Sequence, residues 1–332
     1  MKALITAPLT NGAITELEAL GLDVDYRSWL ETGKLYLGDS LLPLIKESGA
    51  EIVLVEGDEV KEEVIENSNL KFIGCVRGGP NNVSIPSATK RRIPVVSVPG
   101  RNTLAVAELT IGLILSQARR LGAAERFISN DFFVDDFSDF ARMYKHTMGF
   151  ELHDKIAGII GLGAIGYEVA KRLKAFGMEI LAHDPYADNE KAESLKAKLV
   201  NLDTLLSESD VVTVHCPAND ETRGMIGKQQ FSKMKKTAIF INTARASITD
   251  EYALLDALKE GRIAGAGIDV FSMEPVDCDN IFLGQENVTV TPHIGGNTKQ
   301  TIERQSQSLV NSVRMFLRGQ VPENILNPEV FE

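Results

Sequence analysis

The chain lacks three features that would point to particular classes of protein. Its 332 residues include only three cysteines, Cys75, Cys216 and Cys278, which are widely spaced and form neither a disulfide nor a metal-ligand pattern. No apolar run approaches the length of a membrane span, and Met1 leads directly into strand-like residues without room for a signal peptide. We therefore expect a cytoplasmic protein with no membrane partner and no metal site.

An excess of positive charge is also absent. The net charge is −11, which argues against a nucleic acid or an anionic membrane surface as the main partner. No Walker motif and no nucleophile elbow occurs in the sequence. What remains is a globular composition, with 44% hydrophobic and 24% charged residues, and a length that suits two domains.

The most informative stretch is KIAGIIGLGAIGYEVAKRLKAFGMEILAHDP, residues 155–185. It begins with an apolar run, Ile156–Ile160, that predicts a buried strand. A glycine-rich turn and a helical pattern follow, and then a second strand, Met178–Ala182, which leads to Asp184. This order of strand, glycine turn, helix, strand and acid predicts a βαβ unit that binds a dinucleotide.

Each glycine of the turn has a physical role in that prediction. Gly161 permits the tight turn, Gly163 lets the backbone approach a pyrophosphate, and Gly166 lets the helix pack closely on the strand. The helix N-terminus then offers unpaired N–H groups and partial positive charge to phosphate. Asp184, 18 residues after Gly166, can accept hydrogen bonds from ribose hydroxyls. Its charge would repel a 2′-phosphate, so the sequence favours NAD over NADP.

Strands and helices alternate through the rest of the chain, which predicts an α/β fold of two doubly wound domains. We expect a discontinuous flavodoxin-like substrate domain from residues 1–102 and 299–332, and a Rossmann NAD-binding domain from residues 103–298. Strands are predicted at 3–6, 23–26, 52–55, 72–76 and 95–98, and again at 211–214, 238–241, 264–268 and 288–291. The tail after 321 is predicted to be irregular.

An apolar helix is predicted from Thr103, its expected N-cap, to Leu121. Apolar residues lie on nearly every face of this helix, so it must be buried within one subunit or between two. The aromatic segment 127–150 has no clean helix or strand period, which suggests an arm against a partner surface, although packing on its own domain is nearly as well supported. These features predict a homodimer.

Polar residues follow several predicted strands, at the edge where α/β sheets bind ligands. Arg77, Gly78, Gly79 and Asn81 follow one strand of the first domain, and bare glycine amides there suit a carboxylate. In the second domain, successive strands lead to Arg245, to Asp269 with Glu274, and to His293. Each residue alone has an ordinary explanation, but their shared position at strand ends favours a site.

The segments GLGAIG, HDP, HCP, INTARA, GIDVFSMEP and TPHIGGNT together resemble the D-isomer-specific 2-hydroxyacid dehydrogenase family, especially its phosphoglycerate-dehydrogenase-like members. PGRNTLAVAELT and VRGGPNNV resemble that family's hinge and substrate loop. The resemblance runs from about residue 72 to 298 in the family's order and spacing. The first 70 residues match only in their α/β pattern.

The resemblance implies a catalytic triad of Arg245, Glu274 and His293. His293 would act as the acid–base for the hydroxyl oxygen, Glu274 would orient it, and Arg245 would hold the substrate carboxylate. Asp269 would bond the carboxamide of the nicotinamide. The resemblance further implies cofactor contacts at Gly161, Gly163, Ala164, Ile165, Gly166, Asp184, Cys216, Thr243, Ala244, Arg245, Asp269, His293 and Gly295. It implies substrate contacts at Arg77, Gly78, Gly79, Asn81 and Arg101.

These observations predict an NAD-dependent oxidoreductase that interconverts a D-2-hydroxyacid and its 2-keto acid. Two arginines near the substrate loop, Arg77 and Arg101, favour 3-phosphoglycerate or a sugar-derived acid, because lactate needs only one cation for its carboxylate. The alternative is an NAD(H)-sensing corepressor-like binding protein on the same fold, similar to the C-terminal binding proteins. Those proteins use extended tails, whereas this sequence ends soon after its last predicted helix. An inert scaffold is a third possibility, which the intact triad disfavours.

Overall fold

The computed structural model describes residues 1–129 and 134–332. The chain divides into two compact units, one formed by Met1–Arg101 with Thr298–Glu332 and the other by Asn102–Asn297. In the described part of the chain, no helix combines the length and the apolar character that a membrane crossing requires. Within the same residues, no group of His, Cys, Asp or Glu side chains is arranged to hold a metal ion.

Elements are numbered along the chain. Up to residue 101 they are β1 (Lys2–Ile5), α1 (Asn11–Ala19), β2 (Asp23–Tyr26), α2 (Trp29–Thr32), α3 (Leu41–Ser48), β3 (Ile52–Val55), α4 (Glu62–Glu66), β4 (Phe72–Cys75), α5 (Ile85–Lys90) and β5 (Val95–Val96).

The second unit contains α6 (Thr103–Ala118), α7 (Leu121–Ser129), α8 (Phe137–His146), β6 (Ile156–Ile160), α9 (Ala164–Ala175), β7 (Glu179–His183), α10 (Asn189–Leu195), β8 (Lys198–Leu199), α11 (Leu202–Glu208), β9 (Val211–Val214), α12 (Lys228–Lys233), β10 (Ile239–Asn242), α13 (Glu251–Lys259), β11 (Gly265–Ile268) and β12 (Val288–Val290). Helix α14 (Lys299–Leu317) belongs to the first unit. Short 3-10 turns lie at Ala246–Ile248 and Pro328–Phe331.

The first unit is built on a parallel sheet with the strand order β2-β1-β3-β4-β5. This is the order of the flavodoxin-like fold. Strands β3 and β4 are apolar and fully buried, because helices cover both faces of the sheet. Helix α14 supplies Leu309, Val310 and Val313 to one of the two cores.

The second unit contains a parallel sheet with the order β12-β11-β10-β9-β6-β7-β8. The chain runs outward from β6 in one direction and resumes at β9 in the other, so the topological switch point lies between β6 and β9. A ligand crevice is expected there, beyond the carboxyl ends of the strands. The predicted class, two doubly wound α/β domains, is confirmed. The two-residue edge strand β8 was not predicted.

Helix α6 differs in detail from the prediction. It ends at Ala118, and Asn102 rather than Thr103 is its N-cap, with no side-chain hydrogen bond. Its apolar residues are mostly covered within its own unit, since Val106, Ile111 and Leu113 are each at most 8% exposed against α9, β10 and β11. Most of the helix is therefore covered within one subunit, which is one of the two possibilities that the sequence left open.

The aromatic segment 127–150, predicted to be an arm, contains helix α8 and the last residues of α7. Helix α8 begins at a good N-cap, because the carboxylate of Asp136 accepts hydrogen bonds from the backbone N–H groups of Ser138 and Asp139. Phe137 and Tyr144 of α8 remain 83% and 62% exposed. Phe132 and Phe133, which belong to the same predicted arm, lie outside the described residues.

Candidate active site

The glycine loop after β6 lies at the switch point of the second sheet. Gly161 has a φ of +91°, and a side chain there would collide with the backbone of Cys216, which follows β9. A side chain at Gly166 would collide with the carbonyl oxygen of Gly161, so the start of α9 packs closely on the loop. Gly163 is the N-cap of α9 and has open space around its α-carbon. The N–H groups of Ala164 and Ile165 in the first turn are therefore accessible to a phosphate-bearing ligand.

Asp184, just after β7, connects to this loop directly. Its Oδ2 accepts a hydrogen bond of 2.8 Å from the backbone N–H of Leu162, and its Oδ1 accepts one of 2.9 Å from Tyr186. The carboxylate therefore helps hold the glycine loop while keeping lone pairs for further donors. A negative charge at this position disfavours a 2′-phosphate on a bound ribose.

The residues after β9 complete the crevice with uncharged groups. Burial raises the pKa of the Cys216 thiol to about 11, with a further contribution from the charge of Asp184, so the thiol is protonated at neutral pH. Burial lowers the pKa of His215 to about 3, so its imidazole is neutral. His215 Nε2 lies 2.9 Å from the hydroxyl of Thr213.

Arg245 follows β10 and is exposed. Its Nη1 donates to the carbonyl of Ala244 at 2.6 Å, and no carboxylate pairs with it among residues 1–129 and 134–332. The loop that carries it is held by the buried Asn242, whose amide donates to the Arg245 carbonyl and accepts from the Ala244 N–H. Thr243 is fixed by a buried hydroxyl contact of 2.8 Å with Thr110 of α6. Arg245 thus combines a fixed backbone with a guanidinium available to an anion.

Asp269 follows β11 and is 1% exposed. Its Oδ1 accepts hydrogen bonds from the Thr291 hydroxyl at 2.6 Å and the Ile294 N–H at 2.8 Å, and its Oδ2 accepts one from the Gly295 N–H at 2.8 Å. The carboxylate is therefore hydrogen-bonded to the loop on both sides of His293. The predicted role of Asp269, a bond to the cofactor carboxamide, stays a prediction.

His293 and Glu274 form the central pair of the site. His293 Nδ1 lies 2.6 Å from Glu274 Oε2, and Glu274 Oε1 accepts a hydrogen bond of 2.9 Å from the N–H of Phe271. His293 has a φ of +53°, a left-handed conformation that non-glycine residues seldom adopt, and the bonds from Asp269 hold it there. With Nδ1 engaged, Nε2 is the ring nitrogen left to exchange a proton with a ligand.

In the first unit, Arg77, Gly78, Gly79 and Asn81 lie after β4, as predicted. Arg77 is exposed, and its Nη1 donates to the side-chain carbonyl of Asn81 at 3.3 Å. Gly79 has open space around its α-carbon, whereas a side chain at Gly78 would press on Pro99. Arg77 is not paired with a carboxylate in the described part of the chain.

Arg101 has a different environment from Arg77. Its Nη2 lies 2.5 Å from Glu56 Oε1, its Nη1 donates to Gln305, and the side chains of Arg101 and Glu56 are only 16% and 18% exposed. The other oxygen of Glu56 accepts a hydrogen bond of 2.8 Å from the indole N–H of Trp29. The charge of Arg101 is thus balanced within the unit, so the two arginines that the sequence treats alike are not equivalent.

The second unit therefore has the geometry of a dinucleotide-binding domain with a histidine–glutamate pair at the same edge of the sheet, and its residues fit NAD. The open glycine turn and the start of α9 can receive the pyrophosphate, and Asp184 can receive the ribose hydroxyls. Asn242 and Thr291, which support Arg245 and His293, were given no role from the sequence. The sequence does contain one indication of a role for Asn242, because it is a polar residue at the end of an otherwise apolar strand.

A family model described as D-isomer specific 2-hydroxyacid dehydrogenase, NAD binding domain, matches residues 111–295. A D-3-phosphoglycerate dehydrogenase of Archaeoglobus fulgidus is 40% identical over 98% of this chain, which spans 59% of that protein's length. A glyoxylate reductase of Thermococcus litoralis is 39% identical over 87% of each chain. The crystal structure of an Aquifex aeolicus D-lactate dehydrogenase complexed with NAD and lactic acid has a TM-score of 0.79 and 28% identity, covering 98% of this chain and 99% of that one.

The chain belongs to the D-isomer specific 2-hydroxyacid dehydrogenase family. The matched model covers most of the second unit, which is therefore an NAD-binding domain. The sequence-based predictions of the family and of NAD as cofactor are confirmed.

Proposed function

We propose that this protein is an NAD-dependent oxidoreductase that interconverts a D-2-hydroxyacid and its 2-keto acid. The observation that carries the proposal is the His293–Glu274 pair, 2.6 Å apart, on a loop that Asp269 holds in place. Arg245, with no internal carboxylate partner in the described residues, supplies a cation at the same edge of the sheet. A hydroxyacid needs these two groups, a cation for its carboxylate and an acid–base for its hydroxyl.

In the proposed reaction, Arg245 binds the substrate carboxylate and orients the C2 oxygen toward Nε2 of His293. His293 takes the hydroxyl proton in the oxidative direction and returns it in the reductive direction. Glu274 fixes the ring orientation through Nδ1 and stabilises the imidazolium once it forms. NAD, bound along the glycine loop, supplies the acceptor for the hydride that leaves C2. Ala164, Ile165, Cys216, Thr243, Ala244 and Gly295 remain proposed cofactor contacts.

The substrate class rests on the edge of the first sheet. We propose 3-phosphoglycerate or a sugar-derived acid, as the sequence suggested, with Arg77 rather than Arg101 as the cation for the far end of the substrate. Glu56 balances Arg101, so one net positive charge remains at this edge. A cation beside open glycine amides suits either the phosphate of 3-phosphoglycerate or the hydroxyl-rich side chain of a sugar-derived acid.

A homodimer is also proposed, on different grounds from those used for the sequence. Phe137, Phe140 and Tyr144 recur at helical spacing along α8, with ring centroids 5.7 and 6.1 Å apart, and all three are exposed. An apolar aromatic stripe of this kind favours burial against a second copy of the chain. The three free cysteines support a reducing compartment such as the cytoplasm.

The function is tested by incubating the protein with a panel of D- and L-hydroxyacids and 2-keto acids. The rate of each reaction is measured from the change in NADH absorbance. The proposal expects turnover of at least one D-hydroxyacid or its keto acid, with kcat/KM highest for a phosphorylated or hydroxyl-rich side chain. A protein that binds NADH but is silent across the panel would instead be a dinucleotide-sensing binding protein.

A further inference from the structure

A polar cavity lies in the unit 102–297, at the amino ends of the strands and apart from the ligand crevice. Ile239, Ala264 and Val288, at the beginnings of β10, β11 and β12, contribute to its wall. The carboxyl ends of these strands lead to Arg245, Glu274 and His293, about 13 Å away for a four-residue strand. The cavity is therefore separate from the candidate active site. The space in which the centre of a water molecule can move is about 40 Å³. A single bound water needs roughly 10–15 Å³ by the same measure.

Two arginines line this cavity. Arg126 of α7 donates from Nη2 to the backbone carbonyl of Glu286 at 2.8 Å. Arg120 lies in the turn between α6 and α7, and its Nε is buried without a hydrogen-bond partner among residues 1–129 and 134–332. In that same part of the chain neither guanidinium pairs with a carboxylate. Two cations thus share one small cavity, and no described residue supplies a carboxylate within ion-pair distance of either.

The neutral polar groups of the cavity bond to one another and leave the Nε of Arg120 without an acceptor in the described part of the chain. The hydroxyl of Thr289 contacts Gln117 Nε2 at 2.7 Å and the Ser116 hydroxyl at 3.0 Å. Glu286, the acidic residue of the lining, is exposed, and only its backbone carbonyl bonds to Arg126. An unmet N–H on a buried cation is unfavourable, so the cavity presents donors that require an acceptor.

The backbone reinforces this placement. Arg120 has a φ of +51°, which is uncommon for a residue with a side chain. A glycine at this turn would adopt that conformation without strain. The chain instead holds an arginine there, with its Nε buried beside the cavity. Strained non-glycine residues of this kind concentrate at ligand sites.

We propose that this cavity binds a small oxyanion of the phosphate or carboxylate class through Arg120 and Arg126. Planar guanidinium groups bind such anions through paired N–H donors. The volume admits one oxyanion group and excludes a nucleotide. Because the cavity lies at the opposite ends of the strands from His293, the bound anion stabilises the unit and leaves the reacting groups unoccupied.

The test measures binding to the full chain with NADH at saturating concentration, so that the glycine loop is occupied. Inorganic phosphate and acetate are titrated separately by calorimetry and by thermal unfolding, with sodium chloride at equal ionic strength as the reference. Arg120→Gln and Arg126→Gln should each weaken binding at least tenfold. Arg119→Gln, a charge-matched change at the exposed neighbouring residue, should leave binding within twofold of the wild type.

The anion that binds with the higher affinity, phosphate or acetate, identifies the chemical class of the ligand. Arg120→Lys keeps the charge but removes Nε, so we expect affinity between those of the wild type and Arg120→Gln. If Arg120→Gln does not fold, the Arg126→Gln variant carries the test alone. The proposal is overturned if neither anion gives a larger binding heat or a larger rise in unfolding temperature than sodium chloride. It is also overturned if the wild type and the Arg126→Gln variant bind the anion equally well.

Discussion

The Nδ1 atom of His293 lies 2.6 Å from Oε2 of Glu274, although the two residues are 19 positions apart and lie on different loops. Two anchors make this distance possible. Glu274 is held by the Phe271 N–H, and the loop of His293 is held by Asp269. The carboxylate thus occupies Nδ1 and leaves Nε2 for the acid–base role that we propose for His293.

Replacing His293 with Asn should lower kcat about a hundredfold or more, because proton transfer at the C2 oxygen is lost. NADH affinity should fall far less than kcat. Glu274→Gln should lower kcat less and shift its pH profile, since the carboxylate charge beside the ring is removed. His153, which pairs with Asp154 at 3.0 Å on the surface, is the matched control, and His153→Gln should leave kcat unchanged. A His293→Asn variant with nearly wild-type kcat would refute the assignment.

Asp269→Asn separates two roles for a buried carboxylate. If Asp269 positions the His293 loop, kcat should fall while the dissociation constant of NADH stays the same, and unfolding should cost about 1–3 kcal/mol less free energy. If it bonds the cofactor, NADH affinity should fall instead. Asp210→Asn is the control, because Asp210 also accepts a backbone N–H, from Ile156, but at the amino end of β6. That variant should lose stability without losing kcat.

Asp184 should make NADH the preferred cofactor over NADPH by a large factor in kcat/KM. Asp184→Ala should narrow the gap, chiefly by weakening NADH binding, because the ribose loses an acceptor and Leu162 loses its bond. Asp188→Ala, at the N-cap of α10, should leave the preference intact. Equal catalytic efficiency with both cofactors in the wild type would disprove the role of Asp184.

Arg77 and Arg101 should respond differently to replacement. Arg77→Met should cost about tenfold in kcat/KM on the best substrate, or about 1.4 kcal/mol. Arg101→Met should instead destabilise the protein by about 1–3 kcal/mol, because Glu56 loses its partner. The double variant Arg101→Met with Glu56→Gln should recover part of that loss. Unchanged kcat/KM in both single variants would withdraw the preference for phosphoglycerate or a sugar acid.

Light scattering at micromolar concentration should give twice the 36.3 kDa mass of one chain. Replacing Phe137 and Tyr144 together with Ser should shift the mass toward that of a monomer, since both rings are exposed on α8. Tyr252 is 72% exposed on α13 and provides the control, so Tyr252→Ser should keep the wild-type mass. A monomer mass for the wild type itself would contradict the dimer.

The parts of the fold that could be predicted are those determined by local pattern. Strands β6 and β9 coincide with the predicted ranges because each is a short, continuous apolar run bounded by polar residues or glycine. The region after α6 was less tractable. The helical spacing of Phe137, Phe140 and Tyr144 becomes evident only when the start of α8 is known, and that start depends on the cap at Asp136.

Pairing between distant residues could not be predicted. Arg101 and Glu56 are 45 positions apart, and Arg101 and Gln305 are 204 apart, so nothing in the local sequence shows that this arginine is neutralised while Arg77 is not. The same holds for Asp269, whose partners lie 22 to 26 positions later. Sequence motifs predict candidate site residues, but the contacts of these residues depend on how loops from several strands meet.

The contact between Trp29 and Glu56 provides an intrinsic fluorescence probe of the first unit. Trp29 is the only tryptophan in the chain, and its indole N–H donates to the carboxylate that also holds Arg101. Indole emission depends on the polarity and hydrogen bonding of its surroundings, so any ligand that disturbs this carboxylate changes the fluorescence of a single residue. Events at the edge of the first sheet can therefore be followed in real time with no introduced label.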